Sequence, residues 1–102
     1  MSYRKKYTLI ISPKARQDFI DILRYTAEMW GEKQMLAYRD KIDSALKNIK
    51  TNPSIGHIRN DLPATHMACL VGSHIIIYRK QDNIIGVVRI LHQRMCVEKY
   101  TD

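Results

Sequence analysis

The spacing of apolar residues changes twice along the chain, and each change marks a different kind of element. Residues 7–11, YTLII, are aromatic and β-branched and end at Ser12-Pro13, which predicts a first strand followed at once by a helix. Ser12 can cap this helix, and Pro13 suits its first turn, where a missing N–H costs nothing. The next apolar residues recur at steps of three and four, as on one helical face that ends at Gly31. They are Ala15, Phe19, Ile22, Leu23, Ala27 and Trp30.

A second helical stripe follows almost immediately and continues until Thr51-Asn52-Pro53 breaks it. Because so little chain separates the two stripes, the two helices must fold back as an antiparallel hairpin. The apolar members of the second stripe, which we expect in the core with those of the first, are Met35, Tyr38, Ile42, Ala45, Leu46 and Ile49. The residues expected on the solvated faces are Lys14, Asp18 and Asp21 on the first helix and Lys33, Asp40 and Lys47 on the second.

The second half of the chain changes to short β-like runs. After a loop rich in turn-forming residues, NPSIGHIRNDLP (52–63), three runs over about 66–71, 74–80 and 84–91 are separated by GS and QDN. Such spacing predicts an antiparallel meander. The predicted order is therefore β-α-α-β-β-β. This is a two-layer α+β fold in which a helical hairpin packs on one face of a mainly antiparallel sheet, and residues 1–102 form one domain.

The predicted sheet is apolar on both faces. HIIIY (74–78) and IIGVV (84–88) place large apolar residues at successive positions, which a strand directs to opposite faces. The helices can cover only one face. We therefore expect the tail after residue 92 to supply part of a second cover, and a segment of another protein to supply the rest.

Composition and charge restrict the class of protein. The chain is 45% hydrophobic and 26% charged, typical of a folded protein, and its net charge of +7 favours acidic or nucleic-acid partners. Cys69 and Cys96 form no disulfide framework or metal-ligand pattern, which favours the cytoplasm and predicts no metal. No nucleotide-binding glycine motif occurs, so no cofactor is predicted. YTLII is too short for a signal peptide or membrane span, and SYRKKY (2–7) is a footprint for DNA or a solvated basic arm.

The segment GVVRILHQRM (86–95) carries the candidate chemistry. His92 could serve as a general acid or base beside arginines that hold a phosphate. The alternative is that His92 ends a strand and bonds locally. The arginines of the catalytic alternative are Arg59, Arg79, Arg89 and Arg94. The other histidines, His57, His66 and His74, are too scattered to predict a metal site and are expected on the surface or on strands.

Arg89 is an unusual residue for the middle of an apolar strand. Strand alternation places it on the face of Val87 and Leu91, where an unpaired guanidinium would be very costly if buried. Two interpretations stay open. Either this face is exposed until a partner covers it, or Arg89 pairs with an acid of the chain. The acids considered are Asp61, Asp82 and Glu98.

Four segments together resemble the ParE branch of the RelE/ParE toxin superfamily, the small toxic partners of type II toxin–antitoxin pairs. They are GSHIIIYRK (72–80), VVRILHQRM (87–95), LIISPKARQDFIDILRYTAEMWG (9–31) and NPSIG (52–56), and the resemblance covers nearly the whole chain. It implies the same β-α-α-β-β-β order and a cognate antitoxin whose C-terminal segment wraps the toxin in a hetero-oligomer. ParE-type toxins act on DNA gyrase and stabilise cleaved DNA, whereas RelE-type toxins cut messenger RNA on the ribosome.

The resemblance implies a binding protein more than an enzyme. Under the ParE interpretation no residue is catalytic, and the expected partner-binding residues are Trp30, Tyr38, Arg79, Arg89, His92, Arg94 and Met95. Under the RelE alternative, His92 and the four arginines would cut RNA. The ending CVEKYTD, with Tyr100 late in the chain, departs from the RelE-type ending and disfavours catalysis. A third possibility is a family member that keeps the fold and the antitoxin without toxicity.

Overall fold

The elements follow the predicted order. The computed structural model describes residues 6–100, so most of the basic arm, residues 2–5, lies outside the described residues. The elements are strand β1 (Thr8–Ile11), helices α1 (Pro13–Trp30) and α2 (Glu32–Thr51), and strands β2 (His66–Val71), β3 (His74–Gln81) and β4 (Ile84–His92). Single 3-10 turns occur at Pro53–Ile55 and Val97–Lys99. Neither α1 nor α2 is long and apolar enough to cross a membrane, within the described residues.

The helix boundaries have local chemical causes. Ser12 Oγ accepts the Ala15 N–H at 3.0 Å, which caps α1, and donates to the Val88 carbonyl at 2.8 Å, which ties the cap to β4. Gly31 joins the two helices at φ 91°, a left-handed conformation that other residues adopt only with strain. The predicted cap and the predicted stop are both confirmed.

The sheet has four strands in the order β1-β4-β3-β2. β1 runs parallel to β4, and the other two pairs are antiparallel, so the predicted meander and the two-layer α+β architecture are confirmed. The helical hairpin packs on one face over a large buried cluster. Its fully or nearly fully buried members are Ala15, Ile42, Leu46, Ile49, Val71, Ile76, Tyr78, Ile85, Val87 and Ile90.

Tyr78 is the largest side chain in this cluster and has no exposed surface. Its hydroxyl donates to the Pro53 carbonyl at 2.6 Å and accepts the Gly56 N–H at 2.9 Å. A Cβ at Gly56 would lie 2.4 Å from this hydroxyl, so only glycine fits there. The NPSIG segment is therefore anchored onto the sheet by a fully satisfied buried hydroxyl.

A β-bulge interrupts β4. The register of β3 against β4 shifts at Ile77–Tyr78, and Val88 is the extra residue on β4. Simple alternation placed Arg89 on the same face as both Val87 and Leu91, and this expectation is wrong. Val87 packs under the helices, whereas Leu91 packs on the opposite face, because the bulge adds one residue between them.

The face opposite the helices, called the second face here, is partly covered by the chain itself. Leu62 from the 52–63 loop and Val97 from the tail pack there in a buried cluster with Ala68, Ile75, Ile77 and Leu91. The prediction that the tail supplies part of this cover is confirmed, and the loop is a contributor that the sequence did not predict. The exposed apolar side chains that remain on or beside this sheet include Ile10, Leu70 and Ile84, at 51%, 63% and 48% exposed.

Two expectations about the helical faces are wrong. Trp30 belongs to the apolar stripe of α1, yet it is 68% exposed because it lies at the last turn, beyond the edge of the sheet core. Asp18 was expected on the solvated face, yet only 13% of its side chain is exposed. Both departures bear on the candidate site.

Candidate functional site

A groove of about 570 Å³ lies between the helical hairpin and one end of the sheet. The C-terminal half of α1, the N-terminal half of α2, the β2–β3 turn and the end of β4 all contribute to it. It is lined by Tyr25, Thr26, Trp30, Gln34, Ala37, Tyr38, Lys41, Ser73, His74 and His92, and we call it the histidine groove. Tyr25 is 60% exposed, so two exposed aromatic side chains, Tyr25 and Trp30, border it.

Tyr38 connects α2 to the β2–β3 turn. Its hydroxyl lies 2.6 Å from His74 Nδ1 and 3.2 Å from the Val71 carbonyl, and it accepts the Ser73 N–H at 3.1 Å. When this hydroxyl donates to Nδ1, the ring proton of neutral His74 lies on Nε2. Burial raises the pKa of Tyr38, so the hydroxyl stays protonated at neutral pH.

Gly72 allows the turn to approach Tyr38 this closely. The residue has φ 56°, and a Cβ there would lie 2.6 Å from the Tyr38 hydroxyl oxygen. Both the left-handed backbone and the lack of space require glycine. The Gly72-Ser73-His74 sequence is thus a tight turn that wraps one tyrosine hydroxyl.

His74 and His92 are direct cross-strand neighbours on β3 and β4. Their ring centroids lie 5.2 Å apart in an edge-to-face arrangement. Burial, and secondly the proximity of His92, lowers the pKa of His74 to about 4, so His74 is neutral at physiological pH. His92 Nδ1 accepts the Arg94 N–H at 3.1 Å, which fixes the ring and leaves Nε2 as the nitrogen available to a partner.

Arg89 forms an internal ion pair instead of facing the histidine groove. Its Nε and Nη2 donate to the two carboxylate oxygens of Asp18 at 2.8 Å each, and the side chains are 15% and 13% exposed. This hydrogen bonding raises the pKa of Arg89 further. The partner is none of the three acids considered from the sequence, because Asp18 was expected to face solvent.

Asp18 also protects the edge of β4. β1 ends at Ile11, opposite Val87, so the outer edge of β4 beyond that point has no neighbouring strand. Asp18 Oδ2 accepts the Ile90 N–H there at 3.0 Å. On its other side, Arg89 donates to the Tyr100 carbonyl at 3.4 Å and lies 5.4 Å from the Tyr100 ring centroid, which links the tail to this pair.

The remaining arginines of the catalytic alternative do not gather around His92. Arg59 is bonded to Asp61 at 2.7 and 2.8 Å, and this bond lowers the pKa of Asp61. Arg79 lies five residues beyond His74 on β3, about 16 Å along the strand at about 3.3 Å per residue. Of the four arginines, only Arg94 is a near neighbour of His92, in the turn after β4.

Comparison with known proteins gives the family. A model described as the ParE toxin of type II toxin-antitoxin system, parDE, matches residues 9–96. The chain belongs to the ParE toxin family. It is 31% identical over 85 residues to Toxin ParE1 of Caulobacter vibrioides, covering 83% of this chain and 88% of that protein. It is 32% identical over 91 residues to Toxin ParE1 of Mycobacterium tuberculosis, covering 88% and 93%.

Solved structures with the same fold include members of both branches. A chain of the chromosomal ParDE system of P. aeruginosa superposes with TM-score 0.75 at 17% identity, covering 86% of this chain and 97% of that one. A chain of the RelBE2 toxin–antitoxin complex of Mycobacterium tuberculosis gives 0.62 at 21% identity, covering 86% and 99%. The YoeB dimer of Staphylococcus aureus gives 0.61 at 18%, covering 86% and 98%. The resemblance to the RelE/ParE superfamily is confirmed, and these structures share its fold.

In this ParE-family chain, the residues expected from sequence to bind a partner separate into distinct places. Trp30, Tyr38 and His92 meet in the histidine groove, with exposed Arg94 and Met95 in the turn beside it. Arg79 lies on the second face and Arg89 is held by Asp18. Sequence reasoning missed the groove residues Tyr25, Lys41 and His74. The pairing of His74 with His92 could have been found by aligning β3 against β4 from the turn between them, but the bulge obscures that register.

Proposed function

We propose that this ParE-family chain is the toxin of a type II toxin–antitoxin pair and that it inhibits DNA gyrase by binding. A cognate antitoxin neutralises it in a hetero-oligomer in the cytoplasm. Residues 1–102 form its single toxin domain. The observation that carries this proposal is the family match over residues 9–96. DNA gyrase is the target that the family resemblance implies.

The state of the arginines favours binding over RNA cleavage. A nuclease that uses His92 as acid or base needs positive groups on the scissile phosphate to stabilise its transition state. Arg89 and Arg59 each form an ion pair with a carboxylate. Arg79 lies about 16 Å along β3 from His74, the cross-strand neighbour of His92. Within the described residues, three of the four arginines of the catalytic alternative therefore do not gather at His92, which keeps Arg94 beside it and Lys41 in the same groove.

The histidine groove is the proposed binding surface for the antitoxin. Trp30 and Tyr25 are large, rigid side chains that expose most of their surface, which is typical of interface anchors. Tyr38 and His92 line the groove beneath them, and Arg94 and Met95 extend its rim. An amphipathic helix that inserts apolar side chains between Trp30 and His92 fits a groove of about 570 Å³. Arg89 contributes indirectly, because it holds Tyr100 and the tail.

A supercoiling assay tests the target. The purified chain, added to gyrase and plasmid DNA, should inhibit supercoiling and cause cleaved DNA to accumulate, and the antitoxin encoded beside its gene should reverse both effects. His92→Gln separates the two mechanisms. A nuclease loses orders of magnitude in rate without its proton-transfer group, whereas a gyrase inhibitor keeps most of its effect. Normal gyrase activity together with cleavage of transcripts on translating ribosomes would refute the proposal.

A binding measurement tests the groove separately. Trp30→Ala should weaken antitoxin binding at least tenfold, because it removes an exposed anchor. Ile20→Ala is the matched control, since Ile20 is an exposed apolar residue of the same helix that does not line the groove. Equal affinities of the two variants would place the antitoxin elsewhere.

A further inference from the structure

The histidine groove combines two kinds of lining. Tyr25 and Trp30 of α1 border it and are 60% and 68% exposed, so both present aromatic surface to a ligand. The lining also includes the ammonium group of Lys41 and the imidazoles of His74 and His92. Within the described part of the chain, no carboxylate lines the groove. It therefore offers flat aromatic surfaces beside groups that suit an anion.

The hydrogen bonds of the two histidines leave one N–H on each ring. His92 Nδ1 accepts the Arg94 N–H at 3.1 Å, so the ring proton of neutral His92 lies on Nε2. His74 Nδ1 lies 2.6 Å from the Tyr38 hydroxyl, and when that hydroxyl donates, the proton of neutral His74 also lies on Nε2. Neither Nε2 has a hydrogen-bond partner among the described residues. An apolar side chain alone would leave these donors without an acceptor, whereas an anion satisfies them.

The positive charge at the groove is uncompensated. None of the ion pairs among the described residues includes Lys41 or Arg94. Lys41 lines the groove from α2, and Arg94 is exposed in the turn two residues after His92. The net charge of +7 adds a long-range attraction for anions. An anionic ligand therefore meets free cations both from α2 and from the end of β4.

A nucleotide of a single strand unites the two kinds of group that this lining selects. Its unpaired base has a flat face that stacks on an exposed tryptophan or tyrosine, whereas the bases of a duplex already stack on each other. Its phosphate accepts hydrogen bonds from N–H groups and from cations. Gln34 and Lys41 lie seven residues apart on α2, about 10.5 Å along its axis at about 1.5 Å per residue. This length is about three times the ~3.4 Å spacing of stacked bases, so more than one nucleotide fits.

We propose that the histidine groove binds single-stranded DNA, with a base stacked on Trp30 and a phosphate held by Lys41 and the two histidines. The choice of DNA over RNA rests on the proposed function, in which the toxin acts where gyrase holds cleaved DNA. Because the proposed antitoxin helix covers the same residues, DNA and antitoxin exclude each other from the groove. The site holds the strand without forming or breaking a bond in it.

Trp30 is the one tryptophan of the chain, so its fluorescence reports stacking directly. An oligodeoxythymidylate of about twelve nucleotides, within the ~4–16 that single-strand sites cover, should quench this fluorescence in the free chain. A duplex of the same length should bind at least tenfold more weakly. The preformed antitoxin complex should show no quenching at concentrations that saturate the free chain. Binding of the oligonucleotide without any change in Trp30 fluorescence would place the DNA elsewhere and overturn the inference.

Fluorescence anisotropy of the same oligonucleotide, carrying a dye, compares matched variants. Trp30→Ala should weaken binding at least fivefold, whereas Met29→Ala, at an exposed apolar neighbour that does not line the groove, should weaken it less than twofold. Lys41→Ala should also lower the slope of log Kd against log salt by about 0.7, the value for one lost phosphate contact. Lys50→Ala removes the same charge from an exposed position of α2 outside the groove and should leave the slope unchanged. Circular dichroism establishes that each variant is folded.

The other outcomes are also decisive. Equal effects of the two lysine variants would reduce the binding to general attraction by the net charge and overturn the inference. An oligouridylate that binds as tightly as the DNA, or more tightly, would assign the groove to RNA, and thymidine monophosphate that binds as tightly would assign it to a free nucleotide; either result overturns the inference. A chain that inhibits gyrase but does not bind the oligonucleotide overturns it as well and leaves the proposed function intact. A chain that binds the oligonucleotide as expected but does not affect gyrase contradicts the proposed function and leaves the nucleotide site in place.

Discussion

The Arg89–Asp18 ion pair is the feature whose removal most directly separates a structural role of Arg89 from a functional one. Two guanidinium N–H groups meet two carboxylate oxygens at 2.8 Å, with little of either side chain exposed. Asp18 additionally accepts the Ile90 N–H at the open edge of β4. Loss of Asp18 therefore leaves both a charge and a backbone donor without a partner.

The expected losses of folding stability depend on which groups each substitution leaves without a partner. Removing one member of a buried ion pair costs about 3–5 kcal/mol because the other charge stays behind uncompensated. Since both side chains keep some solvent contact, we expect about 3 kcal/mol for Asp18→Ala and about 2 kcal/mol for Arg89→Met, which leaves Asp18 bonded to Ile90. The double variant removes both charges and should cost about 2 kcal/mol less than the sum of the single variants.

Urea unfolding followed by circular dichroism measures these values. With a slope of about 1.5 kcal/mol per molar urea, Asp18→Ala should lower the midpoint by about 2 M. The exposed pair Lys47–Asp43, at 76% and 54% exposure, is the control, and its coupling should stay below about 0.5 kcal/mol. A coupling that small for Arg89 and Asp18 would refute the structural role and leave Arg89 free for a partner.

Three further outcomes are expected. His74 is neutral when folded because its pKa is about 4, while the unfolded chain binds a proton near pH 6.5, so stability should fall as pH falls from about 6.5 to 4. A pKa shift of this size corresponds to about 3 kcal/mol of folding stability, and the partial solvent exposure of His74 reduces the expected loss to about 1–2 kcal/mol. The loss is measured as the difference in urea unfolding between the wild type and His74→Gln across that pH range. Gly72→Ala should destabilise the fold by about 1–3 kcal/mol in thermal melting, because the backbone there is left-handed and a Cβ would lie 2.6 Å from the hydroxyl oxygen and 2.7 Å from Cε1 of Tyr38. Tyr78→Phe should cost about 1–2 kcal/mol in urea unfolding, because it leaves a buried carbonyl and N–H without their partner; no loss would mean that water replaces the hydroxyl.

Much of the fold could be predicted because its signals are local. The serine cap, the proline in the first turn and the glycine stop each act within a few residues, so α1 begins and ends where the pattern indicates. The three meander strands are separated by tight turns, and strand β2 (His66–Val71) has the predicted bounds. Tight turns also determine which strands pair, which is why the antiparallel order followed from spacing alone.

The site was less predictable because it depends on register and on chain ends. The bulge at Val88 cannot be read from alternation, and it redirects Arg89 around the edge of the sheet to Asp18. Trp30 shares its spacing with core residues but lies past the region that the sheet can bury. His74 and His92 are brought together only by the β3–β4 pairing, so neither residue signals the other in the sequence.

The bulge also explains how one small sheet can offer two separate surfaces. Beyond Val88, β4 has lost its β1 neighbour, and the Asp18 carboxylate accepts the Ile90 N–H at that open edge. His92, at the end of the same strand, lines the groove on the helical side. Before Val88, β1 and β4 stay paired, and a hollow of about 320 Å³ lined by Ile10, Arg79 and Gly86 among others opens on the second face. A partner that occupies both surfaces must therefore pass around an edge of the sheet. This geometry favours a flexible, extended segment over a rigid domain, because only a flexible segment can follow both faces without distorting the fold.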